Sequence, residues 1–217
     1  MVTKGQYLER PTLIALPGGL VLEGVAHRGE HRPGLLILSP IPGEGSGMDH
    51  VVAAELAFAV SRAGHPTLRF NYRGVGGSQG QRSTRTAELL DDALAACELA
   101  ADNAHGAPPV VASIGSSDAL ALELARRGLV AGVALVSPTL VRAGELEPLG
   151  VPLAVVLAEH DPQDRLAWSS LMERQDGALT LVPGADRAWQ RNLPLVGKAV
   201  AALVLRAGGR APTGLND

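Results

Sequence analysis

The sequence predicts an α/β fold in which a mostly parallel sheet of about eight strands carries helices on both faces. Three observations predict it. After a first hairpin, short apolar runs alternate with helical patterns along the chain, which is typical of parallel sheets. Most of these runs are apolar throughout, as strands buried on both faces should be. The 217 residues are 46% apolar but only 3% aromatic, which indicates one domain with a core of Ala, Val and Leu.

The first two strands, residues 12–16 and 20–26, are joined by Pro17-Gly18-Gly19, which favours a hairpin. Six further strands are predicted at residues 34–39, 67–70, 110–114, 131–136, 153–158 and 178–182. Glycine-rich or polar segments follow several of these strands. Because function in such sheets lies at the carboxyl ends of the strands, we expect the site at that edge.

Helices are predicted in the intervening segments and after the last strand. They cover residues 49–63, a stretch from Thr84 or Thr86 to residue 103, and residues 119–127, 165–174 and 193–206. Residues 1–206 are expected to form a single domain, and the Gly/Pro-rich tail of residues 207–217 is expected to be disordered. The connection over residues 137–150 is short, which predicts that no cap domain is present.

Composition excludes several classes of protein. The net charge is −3 and the charges are spread along the chain, so we expect no nucleic-acid surface and no membrane anchor. Cys97 is the single cysteine, which excludes a disulfide framework. No two histidines have metal-ligand spacing, and no metal is expected. The N-terminus lacks a signal-peptide core, so a cytoplasmic protein is predicted. Its expected partner is a small-molecule substrate or ligand.

Two turns carry the motifs of this chain. The first, Asn71-Tyr72-Arg73-Gly74-Val75-Gly76-Gly77-Ser78-Gln79-Gly80, ends a strand in a backbone-rich loop. It is not in the first strand-helix unit and has no acidic partner about 20 residues on, so no dinucleotide or other cofactor is expected. The second, Gly115-Ser116-Ser117-Asp118-Ala119, joins a strand to a helix. Ser117 is either a nucleophile raised on a strained turn or a simple helix cap.

The ordered set of motifs resembles the small, capless α/β-hydrolases of bacteria, often described as dienelactone-hydrolase-like, over about residues 12–206. The resemblance rests on Leu22-Glu23-Gly24, the loop after Ser39, Met48-Asp49, residues 68–78, Gly115-Ser116-Ser117, Glu159-His160-Asp161 and Pro183-Gly184-Ala185-Asp186. It implies the α/β-hydrolase fold without a cap domain and a Ser-Asp-His triad.

The resemblance implies that Ser117 is the nucleophile and that Asp161 is the triad acid. Arg187 occupies the position of the histidine. Arginine stays protonated because its pKa exceeds about 12, so it cannot act as the base, although it can pair with Asp161. A serine that lacks its base is a poor nucleophile. The triad is therefore expected to be incomplete.

The oxyanion loop departs from the family as well. The family's His-Pro-His-Pro is here Ser39-Pro40-Ile41-Pro42. The N–H groups of Ile41 and Asp118 are the expected oxyanion donors. An ionised Asp118 would oppose a developing oxyanion if its carboxylate lay close to these donors.

A pocket beside these groups is expected to contain Glu44, Tyr72, His160, Arg187 and Trp189. His160 is a candidate substitute base, although its side chain is expected to diverge from that of Asp161. His50 lies at a helix start and is expected to face solvent. Trp189 is either a pocket residue or a packing residue.

Three functions follow as hypotheses. The first is a hydrolase of a small ester, thioester or lactone, with Ser117 as nucleophile and a noncanonical base. The second is a repurposed non-hydrolytic enzyme, of cyclase, lyase or isomerase type, or a binder of a small acidic ligand at Arg187. The third is a pseudohydrolase that binds a partner.

Overall fold

The computed structural model describes residues 8–44 and 47–209. Its strands are β1 Arg10–Ala15, β2 Val21–His27, β3 Leu35–Leu38, β4 Thr67–Phe70, β5 Val110–Ile114, β6 Gly132–Val136, β7 Leu153–Ala158 and β8 Gly177–Val182. Its helices are α1 Val51–Arg62, α2 Thr86–Asn103, α3 Asp118–Arg126, α4 Arg165–Glu173 and α5 Leu193–Ala207. Short 3-10 turns cover Gly115–Ser117 and Ala143–Glu145. Residues 210–217 of the predicted disordered tail lie outside the described residues.

The strands form one sheet in the order β1-β2-β4-β3-β5-β6-β7-β8. β2 pairs antiparallel with both β1 and β4, and every pairing from β4 to β8 is parallel. The predicted mostly parallel, eight-stranded sheet is confirmed. Between β6 and β7 the chain forms only the second 3-10 turn, so the predicted absence of a cap domain is confirmed.

Each face of the sheet has its own core. α1 and α5 cover one face, where Val52, Leu56, Val196 and Val200 pack on the strands. The other face is covered by α2, α3 and α4, whose buried residues include Leu89, Leu124 and Trp168. The central strands β3, β5, β6 and β7 are fully buried, because helices cover both of their faces.

Two helix starts differ from the prediction. α1 begins at Val51 rather than residue 49, and the Nδ1 of His50 accepts the Val52 N–H at 3.2 Å. His50 is therefore a half-buried cap, and burial lowers its pKa. The expected threonine cap of α2 is wrong, because Arg85 is at the N-cap position and no side chain caps the helix. Neither threonine has a hydrogen-bonding role at that end.

The glycine turn over residues 71–80 is fixed by a buried ion pair. Asp92 of α2 is fully buried and accepts hydrogen bonds from the backbone N–H, Nε and Nη2 of Arg73, at 2.9, 2.9 and 2.7 Å. Gly74 has a φ of +67°, and a Cβ there would overlap the backbone of Arg82. Glu23 of β2 accepts hydrogen bonds from the Asn71 side chain and the Gly77 N–H. The turn is thus tied both to the sheet and to α2.

Cys97 gives a test of this packing. The thiol of Cys97 lies in the core beneath α2, and burial raises its pKa to about 11. Because the thiolate is the reactive form, alkylation by iodoacetamide should accelerate about tenfold per pH unit from pH 7 to pH 10. The labelling rate is measured at each pH with circular dichroism to verify folding, and with Cys97→Ser as the unlabelled control. A rate that levels off near pH 9 would show an ordinary exposed thiol instead.

Candidate functional site

At the carboxyl edge of the sheet, a tight turn joins β5 to helix α3. Gly115 directly follows β5 and has a φ of +59°, the left-handed conformation that strains residues with a side chain. In a nucleophile-elbow turn, the strained residue between strand and helix is the one that presents its side chain above the sheet. That residue is Gly115 in this chain. A Cβ added there would meet only the Cγ of Pro40, at 4.0 Å.

Ser117 lies elsewhere than predicted. Its side chain is fully buried, and its φ of −85° is ordinary. The Ser117 hydroxyl donates to the Leu38 carbonyl at 2.9 Å and accepts the Ile114 N–H at 3.2 Å. The expectation that this hydroxyl stands clear of the sheet is therefore wrong. Ser117 joins the start of α3 to the end of β3.

The error is one of register. The predicted strand already ended at Ile114, and a turn that follows it directly begins at Gly115. The Gly-x-Ser-x-Ala pattern places the predicted nucleophile at Ser117, two residues past the strained turn at Gly115. The strand end was the signal in the sequence that identifies Gly115.

The predicted oxyanion donors are also arranged differently. The Ile41 N–H donates to the hydroxyl of Ser116 at 3.1 Å. In a nucleophile elbow the second donor belongs to the residue after the strained one, so an elbow at Gly115 would use the Ser116 N–H instead of the predicted Asp118 N–H. The Ser116 hydroxyl therefore already accepts the Ile41 N–H, which is one of the two predicted oxyanion donors.

Asp118 has a structural role that the sequence did not indicate. Its carboxylate is fully buried, and Oδ2 accepts the N–H groups of Thr139, Leu140 and Val141 at 2.8, 2.8 and 3.0 Å. Oδ1 accepts the Ala119 N–H at 2.7 Å. The negative charge is satisfied by backbone N–H groups, as a buried carboxylate requires. Asp118 thus fixes the loop after β6, and its carboxylate is fully engaged in hydrogen bonds to backbone N–H groups.

Asp161 and Arg187 form the ion pair at the end of β7. The Nε of Arg187 donates a hydrogen bond to Oδ1 of Asp161 at 2.9 Å. The Nη2 of Arg187 lies 2.9 Å from the same oxygen. The Asp161 side chain is fully buried, whereas the Arg187 side chain is 45% exposed. The second oxygen of Asp161, Oδ2, is buried and has no hydrogen-bond partner. One side of this carboxylate is therefore available to a further donor.

The histidines do not supply a base for Asp161. His160 is exposed while the adjacent Asp161 is buried, so the two side chains diverge as expected from their sequence positions. The Nδ1 of half-buried His50 accepts the Val52 N–H at the start of α1. The other buried or half-buried histidines bond to groups away from the carboxyl edge: His27 to Thr67, His31 to the Ala63 carbonyl and His65 to the Pro33 carbonyl. The carboxylate of Asp161 bonds only to Arg187 among the residues that the structure describes.

The predicted pocket is only partly assembled. Trp189 is 3% exposed and packs in the core beneath α1 and α5, so its placement in a pocket is wrong. Glu44 and His160 are exposed to solvent. Tyr72 is buried, and its ring centroid lies 5.0 Å from that of Phe70. Burial is the main cause that raises the pKa of Tyr72, and the negative charge of Asp92 is the second. Of the five predicted residues, Tyr72 and Arg187 have a buried or paired polar group at the carboxyl edge. The Tyr72 hydroxyl is buried, and the Arg187 guanidinium pairs with Asp161.

The cavity beside Tyr72 is small. It is lined by the loop after β3 and by Val75 and Arg82, and its volume is about 20 Å³. This is about the space of a single water molecule, and ligand pockets are ordinarily an order of magnitude larger. A ligand at this edge would therefore have to be small, or the loop after β3 would have to move.

Four buried polar atoms without partners lie along the carboxyl edge. They follow four different strands: Tyr72 Oη after β4, Ser39 Oγ after β3, Ser137 Oγ after β6 and Asp161 Oδ2 after β7. Gly115 at the end of β5 lies between them in the strand order. Buried polar atoms are ordinarily hydrogen-bonded, and each one without a partner requires an explanation.

The described residues contain no cluster of three or more His, Cys, Asp or Glu residues that could hold a metal ion. Among the helices of residues 8–44 and 47–209, none is both long enough and apolar enough to cross a membrane.

The sequence matches no protein-family model, and no curated protein is significantly similar to it. Solved structures are similar. An alpha-beta serine hydrolase homologue from Coxiella burnetii is 22% identical, with 87% of this chain and 96% of that chain covered, at a TM-score of 0.72. A serine hydrolase without a lid from Xanthomonas campestris is 20% identical, with 95% and 96% covered, at 0.72. A dienelactone hydrolase from Anabaena variabilis is 15% identical, with 92% and 97% covered, at 0.73.

These neighbours cover 87–95% of this chain at TM-scores of 0.72 and 0.73. At such identities the likeness concerns the fold. The chain has the α/β-hydrolase fold in its capless form.

Proposed function

We propose that this protein is a non-hydrolytic member of the capless α/β-hydrolase fold, which binds a small polar ligand at the carboxyl edge of its sheet. The observation that carries the proposal is Gly115 at the strained turn after β5. Serine-dependent acyl transfer needs a hydroxyl at that turn. Glycine has no side chain to supply one.

The base is absent as well. The family resemblance expects a histidine at the position of Arg187, which instead forms an ion pair with Asp161. A guanidinium does not accept a proton near neutral pH. The oxyanion position has changed in the same direction, because the Ile41 N–H donates to Ser116. Three parts of the acyl-transfer machinery are thus altered around one turn.

The alternative in which Ser117 is the nucleophile is less well supported. Ser117 would have to break its hydrogen bonds to Leu38 and Ile114 and move out from beneath the turn. No histidine contacts its hydroxyl among the described residues. A serine without a base reacts poorly even when it is exposed.

The binding part of the proposal rests on the four unpartnered atoms. A buried hydroxyl or carboxylate oxygen without a hydrogen bond costs about 1–3 kcal/mol. Ser39, Tyr72, Ser137 and Asp161 each carry such an atom at the same edge. A small ligand, or water that a ligand displaces, would supply their partners. Oδ2 of Asp161 requires a donor, which favours an amide or hydroxyl group over a carboxylate.

The loss of hydrolysis is tested with p-nitrophenyl acetate and butyrate. Serum albumin at equal protein concentration is the background control. Wild type and Ser117→Ala are both expected to hydrolyse the esters no faster than this control. Ser117→Ala should lower the free energy of unfolding by about 1 kcal/mol, because it removes buried hydrogen bonds. Turnover by wild type that Ser117→Ala abolishes would overturn this part of the proposal.

Ligand binding is tested by titrating ¹⁵N-labelled protein with acetamide. The amide shifts are expected to concentrate at Tyr72, Ser137 and Asp161, and Ser137→Ala should weaken them. Ser170→Ala, at an exposed serine of α4, is the matched control. The acidic-ligand alternative is tested by titrating acetate in place of acetamide. Under that alternative, Arg187→Ala should weaken the amide shifts that acetate causes. Shifts that are scattered over the surface, or that Ser137→Ala leaves unchanged, would contradict binding at this edge.

A further inference from the structure

A second, larger cavity is lined by none of the predicted site residues, although it reaches the glycine turn at Arg73. Its volume is about 590 Å³, within the range of small-molecule sites. It is bounded by the β1–β2 turn, by one side of α2 and by Leu129 after α3. Its lining shares no residue with the four unpartnered atoms of the carboxyl edge.

The α2 side of this cavity is a regular helical face. The lining residues of α2 are Asp91, Leu94, Ala95, Glu98 and Ala101, together with the buried Cys97. The first five are separated from Asp91 by three, four, seven and ten residues, which places them along one side of the helix. Leu16 and Leu20 lie across from them in the β1–β2 turn. The floor and walls are therefore apolar, with acidic groups at the α2 side.

The charge of the cavity is negative. Asp91 and Glu98 are exposed, and they are about 10 Å apart along the helix axis because each residue advances about 1.5 Å. Arg73 is the basic residue of the lining. Its guanidinium is already bound to the buried Asp92 through Nε and Nη2. The positive charge of Arg73 thus acts mainly on Asp92, and Asp91 is also close enough to raise the pKa of Arg73. Glu98 forms no ion pair among the described residues, so the charged groups of the lining are negative in sum.

We propose that this cavity binds a small molecule with an apolar body and a cationic end group, of the alkylammonium class. The apolar part would cover Leu16, Leu20, Leu94 and Leu129, and the cation would lie against Asp91 or Glu98. Burial of an alkyl chain supplies the main attraction. The carboxylates supply the preference for a cation over an anion of the same length.

The test compares octyltrimethylammonium with octanoate by isothermal titration calorimetry at low ionic strength, below the concentrations at which either aggregates. The cation is expected to bind and octanoate to bind at least about tenfold more weakly. Glu98→Gln and Asp91→Asn should each weaken cation binding by about two- to fivefold. Asp102→Asn, which makes the same charge change at an exposed α2 residue outside the lining, should leave it unchanged.

A cavity-filling variant tests the location. Ala95→Phe is expected to abolish binding of both probes while circular dichroism shows a folded chain. If that variant does not fold, the comparison of Glu98→Gln with Asp102→Asn decides the question without it. Equal affinity for octanoate and the cation, or equal weakening by Glu98→Gln and Asp102→Asn, would overturn the proposal. Weakening of the cation alone by Glu98→Gln would support it.

Discussion

Gly115→Ser combined with Arg187→His is expected to create p-nitrophenyl acetate hydrolysis on the order of 10²-fold above either single variant. Gly115 is at the turn where a side chain would meet only Pro40, at 4.0 Å. A serine there would stand above the sheet, and a histidine in place of Arg187 would be oriented by Asp161. The positive φ of +59° adds a backbone cost of about 1–2 kcal/mol. That cost is small beside the stability of a domain of this size.

The gain is expected to be strongly non-additive. Nucleophile and base act as a unit, so each alone contributes little. The matched control is Gly115→Ala with Arg187→His, which has the same backbone strain and the same histidine but lacks the hydroxyl. Second-order rate constants for the four proteins are measured side by side. If the alanine control equals the serine variant, the turn does not present a nucleophile and the assignment of Gly115 is wrong.

Asp92→Ala is expected to lower the free energy of unfolding by about 3–5 kcal/mol. Asp92 is fully buried, and the side chain of Arg73 is 14% exposed. Removing the carboxylate leaves a largely buried guanidinium without its partner and frees the backbone N–H of Arg73. The cost is measured by urea unfolding followed by circular dichroism.

Asp91→Ala is the matched control, because Asp91 is the neighbouring residue of α2 and is exposed. Its effect should stay within about 0.5 kcal/mol. The joint replacement Arg73→Met with Asp92→Leu should be less destabilising than Asp92→Ala, since neither charge is then buried alone. A similar loss for Asp91→Ala and Asp92→Ala would show that helix α2, rather than the ion pair, determines the effect.

Much of the fold could be predicted because it depends on local patterns. Apolar runs such as residues 110–114 and 153–158 coincide with β5 and β7, since buried parallel strands show in the sequence as continuous hydrophobicity. Helix starts were less accurate. Thr84 and Thr86 are both good caps by composition, yet the chain enters α2 with Arg85 at that position. The hydroxyl of Ser83, rather than that of a threonine, accepts the Arg85 N–H at 3.0 Å.

The site was harder to predict because its contacts are distant in sequence. Asp118 binds backbone N–H groups of Thr139, Leu140 and Val141, and nothing near Asp118 in the sequence indicates that loop. Trp189 lies two residues past Arg187, but its ring packs in the core while Arg187 is at the surface. A short motif predicts Ser117 as the nucleophile, although the predicted strand already ends at Ile114. A shift of two residues in such a turn changes which side chain faces the site.

The central claim is that Gly115 occupies the nucleophile position and that Ser117 is structural. The most direct measurement is the intact mass of the protein after incubation with a fluorophosphonate, followed by peptide mapping. Wild type is predicted to remain unmodified, while Gly115→Ser with Arg187→His acquires one adduct at position 115. An adduct on Ser117 of the folded wild type, at a rate well above that of urea-unfolded protein, would contradict the account.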